Sequence, residues 1–157
     1  MLQKLRTQKL AHTDVPLFSE LIRLFIRVFE EEQQELPSSE YLQSVLSNPA
    51  FHVYVALHEG KLIGGLTAYE MPRYYIKSSE LYIYDIAVEK AYQNKGAGKM
   101  LMQAICRYAA GHQVENIMVE AHEEDELAVH FYTAFMGTSE RVIHFNKQIL
   151  PDQPTSV

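Results

Sequence analysis

A glycine- and lysine-rich loop lies past the middle of the chain, where residues 93–100 read QNKGAGKM. An apolar helical pattern follows directly, and the first turn of a helix carries unpaired N–H donors and a partial positive charge. Gly96 and Gly98 have no Cβ, so a phosphate group could approach that turn closely, and Lys95 and Lys99 would add positive charge. The spacing indicates a pyrophosphate site at a helix start, with a glycine-rich helix start that binds nothing as the alternative.

Two other phosphate-binding motifs do not fit this loop. A Walker P-loop needs a glycine at position 93 and a Ser or Thr at position 100, where the chain has Gln93 and Met100. A dinucleotide fingerprint needs a third glycine where Leu101 stands, and no early βαβ unit precedes the loop. Both motifs are therefore excluded, which leaves a single phosphate-binding turn.

The residues around the loop extend it into a longer motif. The stretch DIAVEKAYQNKGAGKML resembles the acetyl-CoA signature of the GNAT superfamily of N-acetyltransferases, in which a strand end with an apolar-x-Val pattern precedes Gln-x-x-Gly-x-Gly. The matching residues are Ile86, Val88, Gln93, Gly96 and Gly98. The resemblance implies that the pyrophosphate belongs to coenzyme A and that the cofactor is acetyl-CoA.

A second stretch, DELAVHFYTAFMG, resembles the helix that follows the fifth strand in GNAT members. It carries that helix's alanine, tyrosine and closing glycine as Ala128, Tyr132 and Gly137. Asp125 stands where the family usually has an asparagine that bonds the cofactor arm. The two motifs follow one another in the order that the family requires.

Several further stretches narrow the resemblance. LPSSEYLQSVLSNPAFHVYVAL, GGLTAYE, SELYIYDIAV and VIHF are similar to the GNAT-type aminoglycoside 3-N-acetyltransferases, from about residue 20 to 146. This implies an enzyme that acetylates an aminoglycoside at its 3-amino group and so confers antibiotic resistance. The alternatives are acetylation of another polyamine or a protein lysine, a non-catalytic acetyl-CoA-binding module, and a structural protein without affinity for coenzyme A.

The resemblance also assigns roles to residues. Acetyl transfer to an amine needs a group that takes a proton, donors that stabilise an oxyanion, and an acid for the leaving thiolate. Asp85 is expected as base or cation anchor, Tyr132 as the acid, and the backbone of residues 86–88 as the partner of the thioester carbonyl and the pantetheine arm. The residues expected to hold the cofactor are Ile86, Ala87, Val88, Gln93, Asn94, Lys95, Gly96, Ala97, Gly98, Lys99 and Asp125.

The charge of the chain bears on its partners. A net charge of −6 disfavours nucleic acid, because phosphate binding needs a basic surface. Acids cluster in FEEEQQE (29–35) and HEEDE (122–126), which are either solvated helix ends and loops or a site for a polycationic amine. The residues expected to bind that amine are Asp85, Glu120, Glu123, Glu124, Asp125 and His144. The alternatives to Asp85 as base are Glu80, Glu120, Glu123 and Asp125.

Length and composition predict one domain over residues 1–150 and a loose tail over 151–157. No stretch approaches the ~20 apolar residues of a membrane span, and the N-terminus lacks the apolar core of a signal peptide. Cys106 is the single cysteine, so no internal disulfide forms, and its mid-helix position predicts an inert thiol. We expect a cytoplasmic protein without membrane contact. A homodimer is plausible for the superfamily, although no stretch specifies an interface.

No metal site is predicted, because the seven histidines lack ligand spacing and His122-Glu123 lacks the second histidine of a zinc motif.

Hydrophobic periodicity predicts an α/β (α+β) fold, with a mixed central sheet flanked by about four helices. The sequence predicts strands over 2–7, 51–57, 61–70, 80–88, 116–121 (buried) and 140–149, and helices from Thr13 or Asp14, from Ser38 or Ser39, over 97–110 and over 125–137. This order of elements fits the GNAT fold from end to end.

Overall fold

The computed structural model describes residues 4–32 and 35–149. It divides into two compact units, one ending at Glu120 and one beginning at Ala121. The first unit contains β1 (Leu5–Lys9), α1 (Val15–Val28), α2 (Ser39–Leu46), β2 (Phe51–His58), β3 (Lys61–Pro72), β4 (Ser79–Val88), a 3-10 turn (Lys90–Tyr92), α3 (Ala97–Gly111) and β5 (Val114–Val119). The second contains α4 (Glu126–Met136). The prediction of one domain over 1–150 stays a prediction, and the predicted tail lies outside the described residues.

The five strands form one sheet in the order β1-β2-β3-β4-β5. Neighbours from β1 to β4 pair antiparallel, whereas β5 runs parallel to β4. A parallel pair needs a crossover connection, and α3 supplies it. The mixed sheet with four helices confirms the predicted fold class.

The strands β2 and β3 form a hairpin, and β2 is buried on both faces from His52 to Leu57. The turn lies at Glu59-Gly60, where both residues have positive φ (52° and 84°). Two positive φ values are what a two-residue turn needs to match the twist of the strands, and glycine adopts them without strain. The conformation of the turn is therefore set by its local sequence.

The two helices that precede the hairpin also begin as predicted. Pro16 lies in the first turn of α1, where its missing N–H is harmless. The Ser38 hydroxyl caps α2 by accepting a hydrogen bond from the Tyr41 N–H at 3.2 Å. Helix α1 buries Leu21 and Leu24 completely in the core that it forms with β2 and β3.

Gly65 allows α1 to pack closely against the sheet. A Cβ at this position of β3 would lie 2.4 Å from the Leu21 side chain and 2.9 Å from the Tyr54 carbonyl oxygen. Contacts this short force the helix or the strand to move. The close packing of α1 against β3 therefore requires glycine at position 65.

The variant Gly65→Ala should lower the free energy of unfolding by about 2 kcal/mol, as overpacking a core does. Gly111→Ala is the matched control, because a Cβ at Gly111 has no atom within 4 Å, and its stability should be unchanged or slightly higher. Denaturant unfolding of the three proteins measures the difference. Equal stability of the Gly65→Ala variant and the wild type would contradict this account of the packing.

A polar cluster fastens the C-terminal half of α3 to the sheet. The Glu70 carboxylate accepts hydrogen bonds from the Tyr108 hydroxyl (2.8 Å) and the Ser79 hydroxyl, and lies 3.1 Å from Nε2 of the buried His52. Burial raises the pKa of Glu70, but these hydrogen bonds outweigh it and leave the pKa below its usual value. Burial also lowers the pKa of His52, which favours the neutral ring. Because Ser79 begins β4, this cluster lies at the opposite end of that strand from the glycine loop.

Two strand predictions are wrong. The strand predicted as buried over 116–121 is β5, over Val114–Val119, and its side chains are half-buried or exposed. Residues 140–149 form no strand, and Ile143 and Phe145 are exposed by 79% and 87%. Alternation is a local signal, whereas a strand needs a partner that supplies its backbone hydrogen bonds, and residues 140–149 take part in none of the observed strand pairings.

Among the described residues, no helix is both long and apolar enough to cross a membrane.

Candidate active site

The strand β4 has one open edge over its second half. It pairs with β3 along its whole length, from Ser79 to Val88, but with β5 only from Ser79 to Ile83. Over residues 84–88, the backbone edge that faces away from β3 therefore has no partner strand in the described part of the chain. An open strand edge can pair with the amide groups of an extended ligand.

A β-bulge marks the point where β4 and β5 separate. Thr67 lies opposite Asp85 and Ala68 opposite Ile83, so Tyr84 is an extra residue in β4. A bulge bends its strand and redirects the side chains that follow. The bulge therefore sets the orientation of Asp85 and of the open edge beyond it.

The direction of the backbone donors in β4 follows from two hydrogen bonds. The Asp85 N–H donates to Oγ1 of Thr67 (3.2 Å) and the Glu89 N–H donates to the carbonyl oxygen of Ile63 (2.8 Å), so both point towards β3. Successive N–H groups of a strand point to opposite sides. The N–H groups of Ile86 and Val88 therefore point to the open edge, whereas that of Ala87 points to β3.

The glycine loop leads from this strand into the first turn of α3. Gly96 is the N-cap residue, with φ 95° and ψ −4°, a left-handed conformation that favours glycine. The first helical hydrogen bond runs from the Met100 N–H to the Gly96 carbonyl oxygen. The N–H groups of Ala97, Gly98 and Lys99 therefore have no helical acceptor, which is the geometry that the predicted anion-binding turn needs.

Two side chains of the loop bond its own backbone. The Gln93 amide donates from Nε2 to the carbonyl oxygen of Val88 (2.9 Å), and the Lys95 ammonium donates to that of Ala91 (2.7 Å). These bonds tie the loop to the end of β4. Asn94, between them, has a positive φ of 57°. Gln93 and Lys95 therefore stabilise the conformation of the loop through these two hydrogen bonds.

Ion pairs join the end of α1 to the segment that precedes the loop. The Arg27 guanidinium pairs with the Glu89 carboxylate, and the Lys90 ammonium lies 3.2 Å from Oε1 of Glu30. Glu30 belongs to the acidic run 29–35, so part of that run is neutralised by Lys90. Because the Lys90 and Glu30 side chains are 75% and 77% exposed, this pair contributes little to stability and leaves Glu30 in contact with solvent.

A surface of carboxylates and tyrosines lies on the face of the sheet that α1 covers. Tyr69 and Tyr84 meet edge to face with ring centroids 5.8 Å apart, and Tyr84 also contacts the ring of Tyr82 at 6.4 Å. The Tyr69 ring packs against Phe51, which in turn contacts Phe18 of α1.

We call Asp85, Glu31, Tyr69, Tyr82 and Tyr84 the acceptor surface. Burial is the main cause that raises the pKa of Tyr82, and the charge and hydrogen bond of the Glu120 carboxylate raise it further. Glu120 therefore borders the acceptor surface.

The environment of Asp85 raises its pKa. Burial is the main cause, the Thr67 hydroxyl opposes it by bonding the carboxylate, and the charge of Glu31 raises the pKa further. A carboxylate with a raised pKa is a better proton acceptor than an exposed one, and such groups are typical of catalytic sites. The influence of Glu31 also places this one residue of the acidic run near Asp85.

The second unit holds the remaining predicted residues. Asp125 is the N-cap residue of α4 and accepts a hydrogen bond from the Ala128 N–H at 3.0 Å. Asparagine and aspartate cap helices equally well, so the departure from the family pattern at Asp125 preserves the cap. Gly137 ends α4 with φ 86°, as predicted. Tyr132 is half-buried beside Phe131, with ring centroids 5.4 Å apart.

The acids of the run 122–126 are exposed in this unit. Glu123 pairs with Arg141 at 2.7 Å, and both side chains are largely exposed, so the pair contributes little to stability. Glu124 and His144 are exposed as well. The roles predicted for these residues and for Asp125 and Tyr132 stay predictions.

Sequence reasoning missed two residues of the site. Thr67 is buried in β3 and bonds Asp85, and Glu31 acts on the same carboxylate. Glu31 stood in an acidic run that had two interpretations. A threonine in an apolar strand carries no signal of its own, because its partner is fixed by the pairing of β3 with β4.

Residues 18–138 match the model of the acetyltransferase (GNAT) family. The chain belongs to the GNAT acetyltransferase family. The family assignment made from the two motifs is thus confirmed, and with it acetyl-CoA as the acetyl donor, since GNAT acetyltransferases use it.

Solved GNAT structures resemble the chain along nearly its whole length. The aminoglycoside acetyltransferase meta-AAC0020, from an uncultured soil metagenomic sample and in complex with sisomicin, is 38% identical, with a TM-score of 0.91 over 94% of this chain and 97% of its own. The aminoglycoside acetyltransferase HMB0005, also from an uncultured soil sample, is 30% identical, with a TM-score of 0.89 over 93% and 99%.

A more distant GNAT structure shares the fold alone. The aminoglycoside N-acetyltransferase AAC(6′)-Iy in complex with CoA is 17% identical, with a TM-score of 0.75 over 92% of this chain and 95% of its own. None of the curated proteins matches the chain.

The open edge and the helix start fit the two ends of acetyl-CoA. A diphosphate needs clustered N–H donors and positive charge, which the first turn of α3 offers, and a pantetheine arm carries amides that pair with an open strand edge such as that of β4. When bound, acetyl-CoA supplies the acetyl group as a thioester. The chain's own groups provide the donors that orient it.

Proposed function

We propose that this protein N-acetylates an aminoglycoside, at its 3-amino group, and thereby confers resistance to the antibiotic. The observation that carries the proposal is the acceptor surface, in which the Asp85 carboxylate lies beside the tyrosine rings of β3 and β4 and within the electrostatic influence of Glu31. Carboxylates attract ammonium groups, and tyrosine faces suit both cations and sugar rings. The complex of meta-AAC0020 with sisomicin supports the same class of acceptor.

In this proposal, each group of the chain has one task. The Asp85 carboxylate takes a proton from the attacking amine or holds its ammonium form before attack. The N–H groups of Ile86 and Val88, on the open edge, orient the thioester and the pantetheine arm, and one of them stabilises the developing oxyanion. The Tyr132 hydroxyl gives its proton to the leaving thiolate.

The cofactor residues in the proposal follow the same division. The N–H groups of residues 97–99 hold the pyrophosphate, and Gln93, Asn94 and Lys95 keep the loop in shape. The acids that attract the cationic acceptor are Asp85, Glu31, Glu120, Glu123 and Glu124, with Asp125 and His144 as further candidates. Ala87, with its N–H towards β3, supports the strand.

An acceptor panel tests the function. Release of the coenzyme A thiol is followed with sisomicin, spermidine, a lysine peptide and a neutral amine, and the product position on sisomicin is read by NMR. Sisomicin should be acetylated at the 3-amino group with the highest kcat/KM. The KM for sisomicin should rise with salt more than the KM for the neutral amine. At 0.1 M salt, the attraction between exposed charges is largely screened beyond ~10 Å.

Each other outcome of the panel selects a different acceptor. Faster turnover of spermidine or the peptide would replace the aminoglycoside by that amine, and acetylation at another nitrogen would correct the regiospecificity. Binding of coenzyme A without turnover of any amine would favour the non-catalytic acetyl-CoA-binding module.

The variant Tyr132→Phe tests the acid. It should lower kcat by about 10- to 100-fold and leave the affinity for acetyl-CoA unchanged, because the lost interaction exists only in the transition state. Tyr74→Phe, at a ring that is 98% exposed, is the matched control and should retain full activity. Single-turnover rates are measured so that product release does not hide the effect. An unchanged single-turnover rate would return Tyr132 to a packing role.

A further inference from the structure

Thr67 is a buried hydroxyl in an apolar strand. Its side chain is 4% exposed, and both neighbours in β3, Leu66 and Ala68, are fully buried. A buried hydroxyl without a partner is unfavourable by roughly 1–3 kcal/mol, so a threonine persists here only where its oxygen has a task. Valine has the same shape and would fill the site without that penalty.

The partner of this hydroxyl is Asp85. Thr67 lies directly opposite Asp85 in the register of β3 and β4, so the two side chains share one face of the sheet. The bulge at Tyr84 interrupts the regular ladder at this pair, and the Asp85 N–H donates to Oγ1 of Thr67 instead of to a backbone carbonyl. One side-chain oxygen thus satisfies the donor that the bulge displaces.

The same hydroxyl reaches the carboxylate. An oxygen that accepts from the Asp85 N–H still has its own proton to donate, and the hydroxyl of Thr67 lowers the pKa of the Asp85 carboxyl against the opposing effect of burial. Backbone and side chain of Asp85 are therefore fixed by a single group. No other described side chain opposes the burial of this carboxylate.

We infer that Thr67 is the positioning residue of the site: its hydroxyl holds Asp85 at the bulge, in the orientation in which the carboxylate takes the acceptor's proton. This inference rests on the proposed role of Asp85. Without the hydroxyl, the Asp85 N–H is buried without an acceptor and the carboxylate loses a donor. The carboxyl then ionises at a higher pH and is free to turn away from the acceptor.

The pair Thr67→Val and Thr67→Ser separates the hydroxyl from the shape of the side chain. Valine should lower kcat/KM for the amine by about 10-fold, which corresponds to about 1.4 kcal/mol. It should also move the acidic limb of the pH profile of kcat/KM to higher pH. Serine keeps the hydroxyl and should restore both the rate and the position of the limb. The affinity for coenzyme A should stay within twofold in both variants, since the pyrophosphate turn is untouched.

The outcomes distinguish this inference from the role of Asp85 itself. An unchanged kcat/KM in Asp85→Asn would overturn the role of Asp85, whatever Thr67 variants do. If Asp85→Asn causes a large loss but Thr67→Val changes neither the rate nor the position of the acidic limb, the inference about Thr67 is overturned and the role of Asp85 stands. A Thr67→Ser variant that behaves like Thr67→Val would also overturn the inference. In the Asp85→Asn background, adding Thr67→Val should change the limb no further. If the valine variant does not fold, Thr67→Cys replaces it in the comparison with Thr67→Ser. The cysteine thiol has a similar size and is a much weaker hydrogen-bond donor than a hydroxyl.

Discussion

Replacing Asp85 with asparagine should lower kcat/KM for the amine acceptor by about 100- to 1,000-fold, the range that loss of general base catalysis produces. The substitution keeps the size of the side chain and its place opposite Thr67, and it removes the charge and the proton acceptor. The affinity for acetyl-CoA should not change, because the carboxylate has no part in the pyrophosphate turn or the open edge. Steady-state kinetics with the amine varied, and calorimetry with coenzyme A, measure the two effects.

The pH dependence of this loss has a definite sign. The pKa of Asp85 is raised above its usual value, mainly by burial, so the carboxyl ionises only as the pH rises through that raised value. Below it, the wild type carries a protonated carboxyl and should approach the rate of Asp85→Asn. Above it, the loss should be largest where the acceptor amine is still protonated, and should shrink as the pH reaches the pKa of the amine.

A matched control keeps the change in net charge and moves it away from the site. Asp14→Asn alters the residue before α1, whose side chain accepts a hydrogen bond from the Ala11 N–H that an asparagine oxygen can also accept, and 14 residues of helix place it about 21 Å from the far end of α1. Its kcat/KM should equal that of the wild type. A fall in kcat alone in Asp85→Asn would identify a base, a rise in KM alone would identify a cation anchor, and no change in either would remove Asp85 from the site.

The elements that the sequence predicted well are those whose signals are local. The Ser38 cap of α2, the Glu59-Gly60 turn and the glycine end of α4 each depend on a few consecutive residues, and the structure has all three. The inner face of α3 also follows from spacing alone, with Leu101 and Ile105 fully buried. Local geometry decides these features, so one sequence suffices to find them.

The features that the sequence missed depend on strand pairing. The apolar residues of ELYIYDIAV (80–88) change phase after Ile83, but only the register shows that Tyr84 is the extra residue and that Asp85 lies opposite Thr67. The stretch 140–149 was predicted as a strand, but no observed pairing includes it. A period-2 pattern states which residues share a face; it does not state which strand lies opposite or where a bulge falls.

The same distinction between local and tertiary signals applies to the candidate site. The helix start with its glycine N-cap was predictable because its residues are consecutive in the chain, and the structure has Gly96 in the left-handed conformation there. The proximity of Glu31 to Asp85 was not predictable, because it brings a residue after α1 next to a bulge 54 positions later. Glu31 acquires an influence on Asp85 only through the tertiary fold.

Replacing Gly98 with leucine should weaken the binding of coenzyme A by about 100-fold, or about 2.8 kcal/mol. Gly98 is the second residue of α3 and, unlike Gly96, does not have a positive φ, so leucine fits the backbone without strain. The loss is expected because a branched side chain in the first turn obstructs the approach of a phosphate to the N–H groups of residues 97–99. Calorimetry with coenzyme A measures the affinity.

The matched control for this prediction is Gly111→Leu, at the last residue of the same helix, where a Cβ meets no atom within 4 Å. Its affinity for coenzyme A should equal that of the wild type. Acetyl-pantetheine, a donor without the pyrophosphate, provides the second control. Turnover of this donor should be similar in Gly98→Leu and the wild type, because the open edge of β4 is unaltered. An equal loss with both donors would show that leucine disturbs the site as a whole, and unchanged affinity for coenzyme A would place the pyrophosphate away from the start of α3.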